Sequence, residues 1–184
     1  ITPNAFSGKT LKEIADLKVW EGNRQRSLGE LFDVEVEDAV NPKDVSIQVF
    51  GEVHKLRRIG AGMSAGEIMI HRDAGLHTGE EMKGGKIVVG GNADSWTGAM
   101  MKNGTIEVKG SAGDYVGAAY RGSAKGMQGG TIIIHGNAGN EIGCFMRKGL
   151  IKVCGNAEQF AGMHMKSGTI LILGNSQGRD GAEM

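Results

Sequence analysis

The chain has few of the residues that usually organise a small protein. Among 184 residues there are 2 cysteines and 2 prolines, and aromatic residues make up 5%. Two cysteines are too few for a disulfide scaffold, and so few aromatic rings cannot supply the bulk of an ordinary core. The formal net charge is zero, which gives no electrostatic reason to expect nucleic acid or an anionic membrane as a partner.

Long apolar runs are also missing. No stretch approaches the roughly 20 residues of a membrane-spanning helix, and the first residues lack the basic and then apolar pattern of a signal peptide. We therefore expect a cytoplasmic protein of one domain. Glycine, in contrast, is abundant, with 32 residues. Because proline does not rise with it, as it does in disordered linkers, the excess of glycine indicates an internal repeat.

The sequence aligns with itself in steps of 19 residues. Six segments fit this register from Ser64 to the end of the chain, and a longer, weaker first segment ends at Met63. Lys102–Tyr120 fits with a tyrosine in the position where the other segments have methionine, and seven extra residues, Arg121–Met127, follow it. The repetition predicts seven stacked coils.

β-Branched residues alternate at the fifth and seventh positions of each segment. These pairs are Ile68/Ile70, Ile87/Val89, Ile106/Val108, Ile132/Ile134, Ile151/Val153 and Ile170/Ile172. Alternation with a period of two is typical of a strand with one buried face. The residues between them are Met69, Val88, Glu107, Ile133, Lys152 and Leu171. Their mixed polarity predicts an outer face that is partly solvated and partly covered.

Glycines flank each predicted strand, and a second glycine and a methionine close each segment. The second glycine column is Gly60, Gly79, Gly98, Gly117, Gly143, Gly162 and Gly181. Glycine fits turns with positive φ and places where stacked chains approach closely. Asparagine follows the strand in four segments, for example Asn92 and Asn156. At these positions we expect a turn residue that tolerates the left-handed region and bonds its neighbours.

A 19-residue unit cannot bury its strand face alone, but coils stacked at about 4.8 Å can. The sequence therefore predicts an all-β fold, a single-stranded right-handed parallel β-helix of about seven 19-residue coils over residues 44–184. A leucine-rich horseshoe is the alternative for repeats of similar length, but leucines are scarce in these columns.

Residues 1–43 lack the repeat and are expected to form a small α/β cap. Thr10–Glu13 has the pattern of a capping box that opens a short helix, and Ser27–Glu30 repeats this pattern. Phe32–Val36 alternates like a strand, and Asn41-Pro42 marks a turn. We expect this segment to cover the first coil, whose open end would otherwise expose unpaired backbone groups.

Residues that could carry chemistry do not form a recognised site. His71 and His135 share a column but lie three coils apart, about 14 Å, which is too far to bind one metal. No zinc-site spacing includes Cys144 or Cys154, and we interpret both as packing residues. Carboxylates near the turns do not share one column, so an independent carbohydrate-active β-helix is only an alternative. They are Asp73, Asp94, Asp114, Glu141, Glu158 and Asp180.

The clearest departure from the repeat surrounds the extra residues. It contains two tyrosines and two cations, Tyr115, Tyr120, Arg121 and Lys125. Insertions in repeat proteins often form the binding face, and tyrosine and arginine are favoured at interfaces. We therefore predict a partner interface at these four residues. The last coil ends at Met184 without a capping element, so we expect a partner there or a longer native chain.

Repeats such as Gly98-Ala-Met-Met-Lys-Asn-Gly104-Thr-Ile-Glu-Val-Lys-Gly110 resemble the GXGXG β-helix family. This family includes the C-terminal domain of the glutamate synthase large subunit and the C subunit of formylmethanofuran dehydrogenase. The resemblance to the C subunit is the closer one, on Gly113–Gly143, Met146–Gly149 and Phe160–Met165. It extends to the opening segment Phe6–Glu35, which glutamate synthases lack, and covers essentially the whole chain.

The resemblance implies a non-catalytic structural subunit of formylmethanofuran dehydrogenase, an archaeal complex of methanogenesis or a related one-carbon pathway. In that complex CO2 is reduced to formate at a molybdenum or tungsten pterin, and formate is condensed with methanofuran in an amidohydrolase-like subunit with two metal ions. The implied partners are the amidohydrolase-like and pterin-binding subunits, and iron-sulfur clusters are implied in partner subunits. No cofactor, metal or catalytic residue is implied in this chain.

The resemblance also suggests where those partners meet this chain. Besides the four interface residues, we expect the apolar residues of the outer strand face to contact them, namely Met69, Val88, Ile133 and Leu171. A glutamate-synthase-type domain that lines an ammonia path is the alternative, and the opening segment argues against it.

Overall fold

The computed structural model describes residues 1–37 and 39–184. Its N-terminal segment contains two short helices followed by a two-stranded antiparallel hairpin. These elements are α1 (Pro3–Phe6), α2 (Leu11–Ala15), β1 (Lys18–Glu21) and β2 (Arg24–Ser27). Two 3-10 helices, Leu28–Glu30 and Pro42–Asp44, lead to the first coil. No helix in the described part of the chain is long and apolar enough to cross a membrane.

Each of the seven coils contributes one strand to a single parallel sheet. The strands are β3 (Ser46–Val49), β4 (Glu67–Ile70), β5 (Lys86–Val89), β6 (Thr105–Val108), β7 (Thr131–Ile134), β8 (Leu150–Val153) and β9 (Thr169–Ile172). They pair in chain order from β3 to β9, so each coil lies on the one before it. The predicted β-helix of seven coils is therefore confirmed.

The inward positions of the strands form a continuous apolar stack. Ile132 pairs with Ile151, which pairs with Ile170, and the first two have no exposed surface. The methionines that close the coils belong to the same core, namely Met63, Met82, Met101, Met127, Met146 and Met165. Burying one isoleucine contributes about 1.5–3 kcal/mol relative to exposure, so repetition of this column accounts for much of the stability of the stack.

A second line of contacts joins the coils at the corner after the strand. Small residues form parallel bridges there from Ala74 to Ser176. The asparagines beside them do not adopt the positive φ that we expected. Instead, the side-chain oxygens of Asn92, Asn137 and Asn156 accept hydrogen bonds from the next coil. For example, the backbone N–H of Asn156 donates to Asn137 Oδ1 at 2.8 Å. Asparagine is therefore used here to connect coils.

The second glycine column is set by both backbone conformation and space. Gly98 has φ of 65°, and a Cβ atom at this position would lie 2.5 Å from Ile132 Cδ1. Residues other than glycine are therefore disfavoured for two reasons. The left-handed backbone is unfavourable for them, and their Cβ atom would clash with the isoleucine column. The glycine excess of the sequence follows from this geometry.

The N-terminal segment agrees with the sequence only in part. The Thr10–Glu13 capping box is confirmed and opens α2. At Ser27–Glu30, the start of a 3-10 helix, the N–H and the hydroxyl of Ser27 both donate to Glu30 Oε1. The strand expected at Phe32–Val36 is wrong, since these residues have no regular structure. The hairpin lies earlier in the chain, at β1 and β2. Most of its side chains are exposed, so its sequence does not show an alternation of apolar and polar residues.

This segment lies over the open side of the first coil. The N–H of Gly60 donates to the carbonyl of Ile1 at 2.9 Å, and Asn4 and Ser64 exchange two hydrogen bonds. Phe6 and Phe32 pack against the core. At the opposite end of the stack, the side chains around β9 are more exposed, among them Leu171, Leu173 and Met184.

Candidate functional site

Large side chains occupy a column of left-handed backbone positions, one in each coil. The residues are Arg58, His77, Trp96, Tyr115, Glu141, Phe160 and Arg179, with φ between 56° and 66°. We call this the left-handed column. Such a conformation costs about 1–2 kcal/mol for a residue with a side chain. Hydrogen bonds between coils offset part of the cost; for example, the N–H of Trp96 donates to the carbonyl of Asp114 at 2.9 Å.

Aromatic rings stack in the middle of this column. Trp96 and Tyr115 are nearly parallel with centroids 4.3 Å apart, and His77 follows Trp96 at 6.2 Å. Tyr120 leans on both, with centroids 4.9 Å from Trp96 and 5.6 Å from His77. Aromatic pairs of this kind add about 0.5–1.5 kcal/mol each to the burial of their surface, so the cluster is a rigid surface feature.

The insertion begins one residue earlier than the sequence suggested. Met127, not Tyr120, occupies the methionine position of its coil, because its N–H donates to Gly117 O, as that of Met101 donates to Gly98 O. Met127 is fully buried, whereas Tyr120 is only partly buried. The seven extra residues are therefore Tyr120–Gly126, which we call the insertion loop. The prediction that Tyr120 occupies the methionine position is therefore wrong. Tyr120 has the expected spacing of three residues after Gly117, but Met127 makes the contacts of that position.

The insertion loop is attached at both ends. The Tyr120 hydroxyl lies 2.7 Å from His77 Nδ1, and the Ser123 N–H donates to Tyr120 O at 2.9 Å. Near the other end, Arg147 Nε donates to the carbonyl of Ala124 at 3.0 Å. The loop therefore has defined anchors, while the side chains of Arg121 and Lys125 between them are exposed.

A groove of about 450 Å³ lies between the loop and the neighbouring coils. We call it the aromatic groove, and it is lined by Trp96, Tyr115, Ala119, Tyr120, Arg121, Gly122, Ser123, Ala124, Glu141, Cys144, Phe145 and Met163. Three of the four predicted interface residues thus meet here, and Lys125 lies outside the lining. Trp96 and Phe145 were not predicted as site residues from the sequence. Their signal is positional, since Trp96 precedes its turn glycine by two residues and Phe145 follows its own by two.

A buried carboxylate lies behind the aromatic cluster. Glu80 is only 3% exposed, with Oε1 3.4 Å from Arg58 Nη2 and Oε2 3.6 Å from His77 Nδ1. Burial lowers the pKa of His77, and the charge of Glu80 opposes this effect. Burial also raises the pKa of Tyr120, and the neighbouring Glu80 carboxylate acts in the same direction. At neutral pH Tyr120 therefore keeps its hydroxyl proton, next to both the His77 ring and the Glu80 carboxylate.

The remaining candidate residues lie apart. His71 contacts Gln48 and stacks on Phe50, whereas His135 contacts Glu107 three coils away. Burial, followed by the charge of a neighbouring glutamate, raises the pKa of Cys144 to about 11, so its thiol is protonated at neutral pH. Within residues 1–37 and 39–184 no three histidine, cysteine or carboxylate side chains form a metal-binding group.

Several of the turn carboxylates that we considered for catalysis connect coils. Asp73 Oδ1 accepts from the N–H of Asn92 at 2.6 Å, and Asp114 Oδ1 accepts from the N–H of Asn140 at 2.7 Å. Asp73 therefore begins the ladder of side-chain bonds that the asparagines continue. Asp114 belongs to a second ladder, in which Asn140 Oδ1 accepts from the N–H of Gln159 in the next coil.

Comparison with known proteins gives a consistent group of relatives. No protein-family model matches the chain. The C subunit of tungsten-containing formylmethanofuran dehydrogenase 2 from Methanococcus maripaludis is 57% identical over all 184 residues, which correspond to 66% of that relative. Its counterpart from Methanothermobacter wolfeii is 46% identical over 79 residues, 43% of this chain. The C subunit of molybdenum-containing formylmethanofuran dehydrogenase 1 from Methanosarcina barkeri is 43% identical over 77 residues, 42% of this chain.

These relatives are longer than the aligned segments. The matches span 29% of the Methanothermobacter wolfeii protein and 26% of the Methanosarcina barkeri protein. Among solved structures, a chain of the formyltransferase/hydrolase complex of Methylorubrum extorquens, crystallised with methylofuran, superimposes with a TM-score of 0.80 at 30% identity. The superposition covers 95% of this chain and 71% of that one.

Proposed function

This chain belongs to the family of formylmethanofuran dehydrogenase C subunits, and from this premise we propose that it is a non-catalytic structural subunit of such a complex. The observation that carries the proposal is the alignment with the Methanococcus maripaludis relative along the whole of this chain. Because that alignment includes the N-terminal segment, it favours this family over a glutamate-synthase-type domain.

In this proposal the complex reduces CO2 and fixes it on methanofuran during methanogenesis in the cytoplasm. The molybdenum or tungsten pterin, the iron-sulfur clusters and the two metal ions belong to the partner subunits. This chain holds the amidohydrolase-like subunit and the pterin-binding subunit together. The Methylorubrum extorquens neighbour, which is part of a multi-subunit complex, supports a role within an assembly.

The physical character of the chain suits a scaffold. Its turn carboxylates and amides are used to bond one coil to the next, so the polar residues near the corners stabilise the stack. The aromatic groove, in contrast, presents Tyr115, Tyr120 and Arg121 on a supported surface. Tyrosine, tryptophan and arginine are the residues that most often dominate binding energies at interfaces. We therefore place a partner contact at the groove, with Lys125 at its margin.

Co-purification tests this assignment. A tagged chain produced together with its candidate partners should recover the amidohydrolase-like and pterin-binding subunits, as identified by native mass spectrometry. Arg121→Glu should lower recovery about tenfold, the effect of losing roughly 1.4 kcal/mol of binding free energy. Arg24→Glu, which makes the same charge change at an exposed position of β2, should leave recovery unchanged.

The outcomes separate the role from the site. If the unaltered chain recovers neither partner, the structural role itself is wrong. If it recovers both, and neither Arg121→Glu nor Tyr120→Ala reduces recovery, the partner contact lies elsewhere on the chain. A circular dichroism spectrum of each variant verifies that the β-helix is intact.

A further inference from the structure

Basic residues recur at the first position of successive coils. Lys83, Lys102, Arg147 and Lys166 each follow the methionine that closes the previous coil, and each N–H donates to a methionine carbonyl one coil earlier, at 2.7–2.9 Å. Gln128 occupies this position in the coil between Lys102 and Arg147. We call these four cations the basic column. Five consecutive coils at about 4.8 Å each give it a length of roughly 19 Å.

The cations of this column have no partner of opposite charge in the part of the chain that the structure describes. None of them forms an ion pair with any residue in 1–37 or 39–184, and all three lysines are exposed. Other outward columns combine opposite charges between coils, as in Glu67 with Lys86 at 3.0 Å. Like charges on neighbouring coils repel each other. A row of cations is therefore unfavourable for the isolated chain and favours an external anion.

The insertion loop extends the basic column. Gly126 donates its N–H to Phe145 O at 2.9 Å, and Arg147 donates to Ala124 O at 3.0 Å. The exposed Lys125 between these two anchors is thus held beside the column, in the part of the stack where Gln128 interrupts it. The basic surface therefore passes beside the aromatic groove and extends along the coils on either side of it.

We propose that the basic column, together with Lys125, binds an extended acidic segment of a partner subunit. This inference rests on the proposed role as a subunit and adds the chemistry of one contact. In an extended chain, side chains on one side recur about every 6.6–6.8 Å, so about three carboxylates face a surface of this length. Flexible lysine side chains can meet them without matching their spacing. The attraction involves exposed charges and is therefore weakened by salt.

A short peptide tests the inference with the purified full chain. The probe is a fluorescein-labelled peptide of alternating glutamate and threonine, about eight residues long so that it spans the column. Fluorescence anisotropy should show binding at low salt and about a tenfold weaker affinity in the triple variant Lys83→Gln, Lys102→Gln, Lys166→Gln. The matched control is Lys12→Gln, Lys18→Gln, Lys55→Gln, which removes three exposed cations outside the column and should bind as the unaltered chain does.

Three results would overturn the inference. One is an equal loss of affinity in the two triple variants, since the peptide would then respond only to net charge. Another is equal binding of a peptide in which glutamine replaces glutamate. The third is tighter binding to a single-stranded oligonucleotide or to vesicles with anionic lipids, which would make the column a site for a different polyanion. These results do not depend on co-purification, so the proposed structural role is tested separately.

Discussion

The coils and the N-terminal segment are held together in different ways. From the second coil on, each side chain has a counterpart 19 residues away in the next coil, except across the insertion, and the same isoleucine, glycine and asparagine contacts recur. In residues 1–37, contacts are made once, and side chains such as Trp20 are 71% exposed. One substitution in a coil therefore disturbs neighbours on both sides, whereas most substitutions in the N-terminal segment affect one local contact.

The largest difference is expected for core truncation. Ile132→Ala removes a fully buried side chain between Ile106 and Ile151 and should lower the free energy of unfolding by about 2–5 kcal/mol. Trp20→Ala removes a larger side chain from the exposed hairpin and should change it by less than about 0.5 kcal/mol. Urea unfolding of the two variants measures this contrast. Equal effects would mean that the hairpin contributes to the core.

Glycine substitutions sharpen the same contrast. Gly98 and Gly22 both have positive φ, 65° and 61°, but a Cβ at Gly22 meets no atom within 4 Å. Gly22→Ala should cost about 1–2 kcal/mol for the backbone conformation alone. Gly98→Ala should cost roughly 1–3 kcal/mol more because it overpacks the isoleucine column. Thermal unfolding of both variants tests this, and an equal loss would contradict the proposed crowding.

A single rung of the asparagine ladder has a smaller expected effect. Asn156→Ala leaves the N–H of Asn175 without its acceptor and should cost about 1 kcal/mol. Asn103→Ala, at an exposed position of another coil, is the control and should be nearly neutral. Hydrogen exchange at the amide of Asn175 reports the lost bond directly, and unchanged protection there would refute the ladder.

The smallest effect concerns pH. Burial lowers the pKa of His77 in the folded chain. Between this lowered pKa and about pH 6.5, the unfolded chain therefore binds more protons than the folded chain. The contribution of His77 to stability is therefore complete above about pH 6.5 and is lost as the pH falls through this window. His77→Gln should flatten the profile just below pH 6.5, whereas Asn103→Ala, which removes no titratable group, should not. The free energy of unfolding is measured from pH 5 to 8. The prediction is wrong if both variants keep the pH dependence of the unaltered chain.

Repetition explains how much of the fold could be predicted. The pairs of β-branched residues and the methionines recur in every coil, and so many copies of one pattern are not a coincidence. The predicted stacking of Ile132, Ile151 and Ile170 is confirmed. The N-terminal segment offers each pattern once. Phe32–Val36 alternates by coincidence, while the hairpin at β1 and β2 has mostly exposed side chains and so carries no apolar signal.

The candidate site was only partly predictable for a different reason. Tyr115, Tyr120 and Arg121 stood out because they lie in or just before the insertion, and they meet in the aromatic groove. Trp96 and Phe145 lie at regular positions of the repeat, where their left-handed backbone contradicts the ordinary preference of aromatic residues. Only the stacking of coils reveals that His77, Trp96 and Tyr115 are neighbours, since they are distant in the chain and make no local pattern.

The insertion loop shows how this architecture can acquire new specificity. Seven residues are added between Ala119 and Met127, yet the strands before and after remain paired in register, Ile106 with Ile132. Loop closure becomes only slowly more costly as a loop lengthens. This corner can therefore accept foreign sequence, such as an affinity tag or a grafted recognition peptide, without redesign of the protein. In natural lineages, gain and loss of residues here would change binding preference more readily than successive point mutations elsewhere.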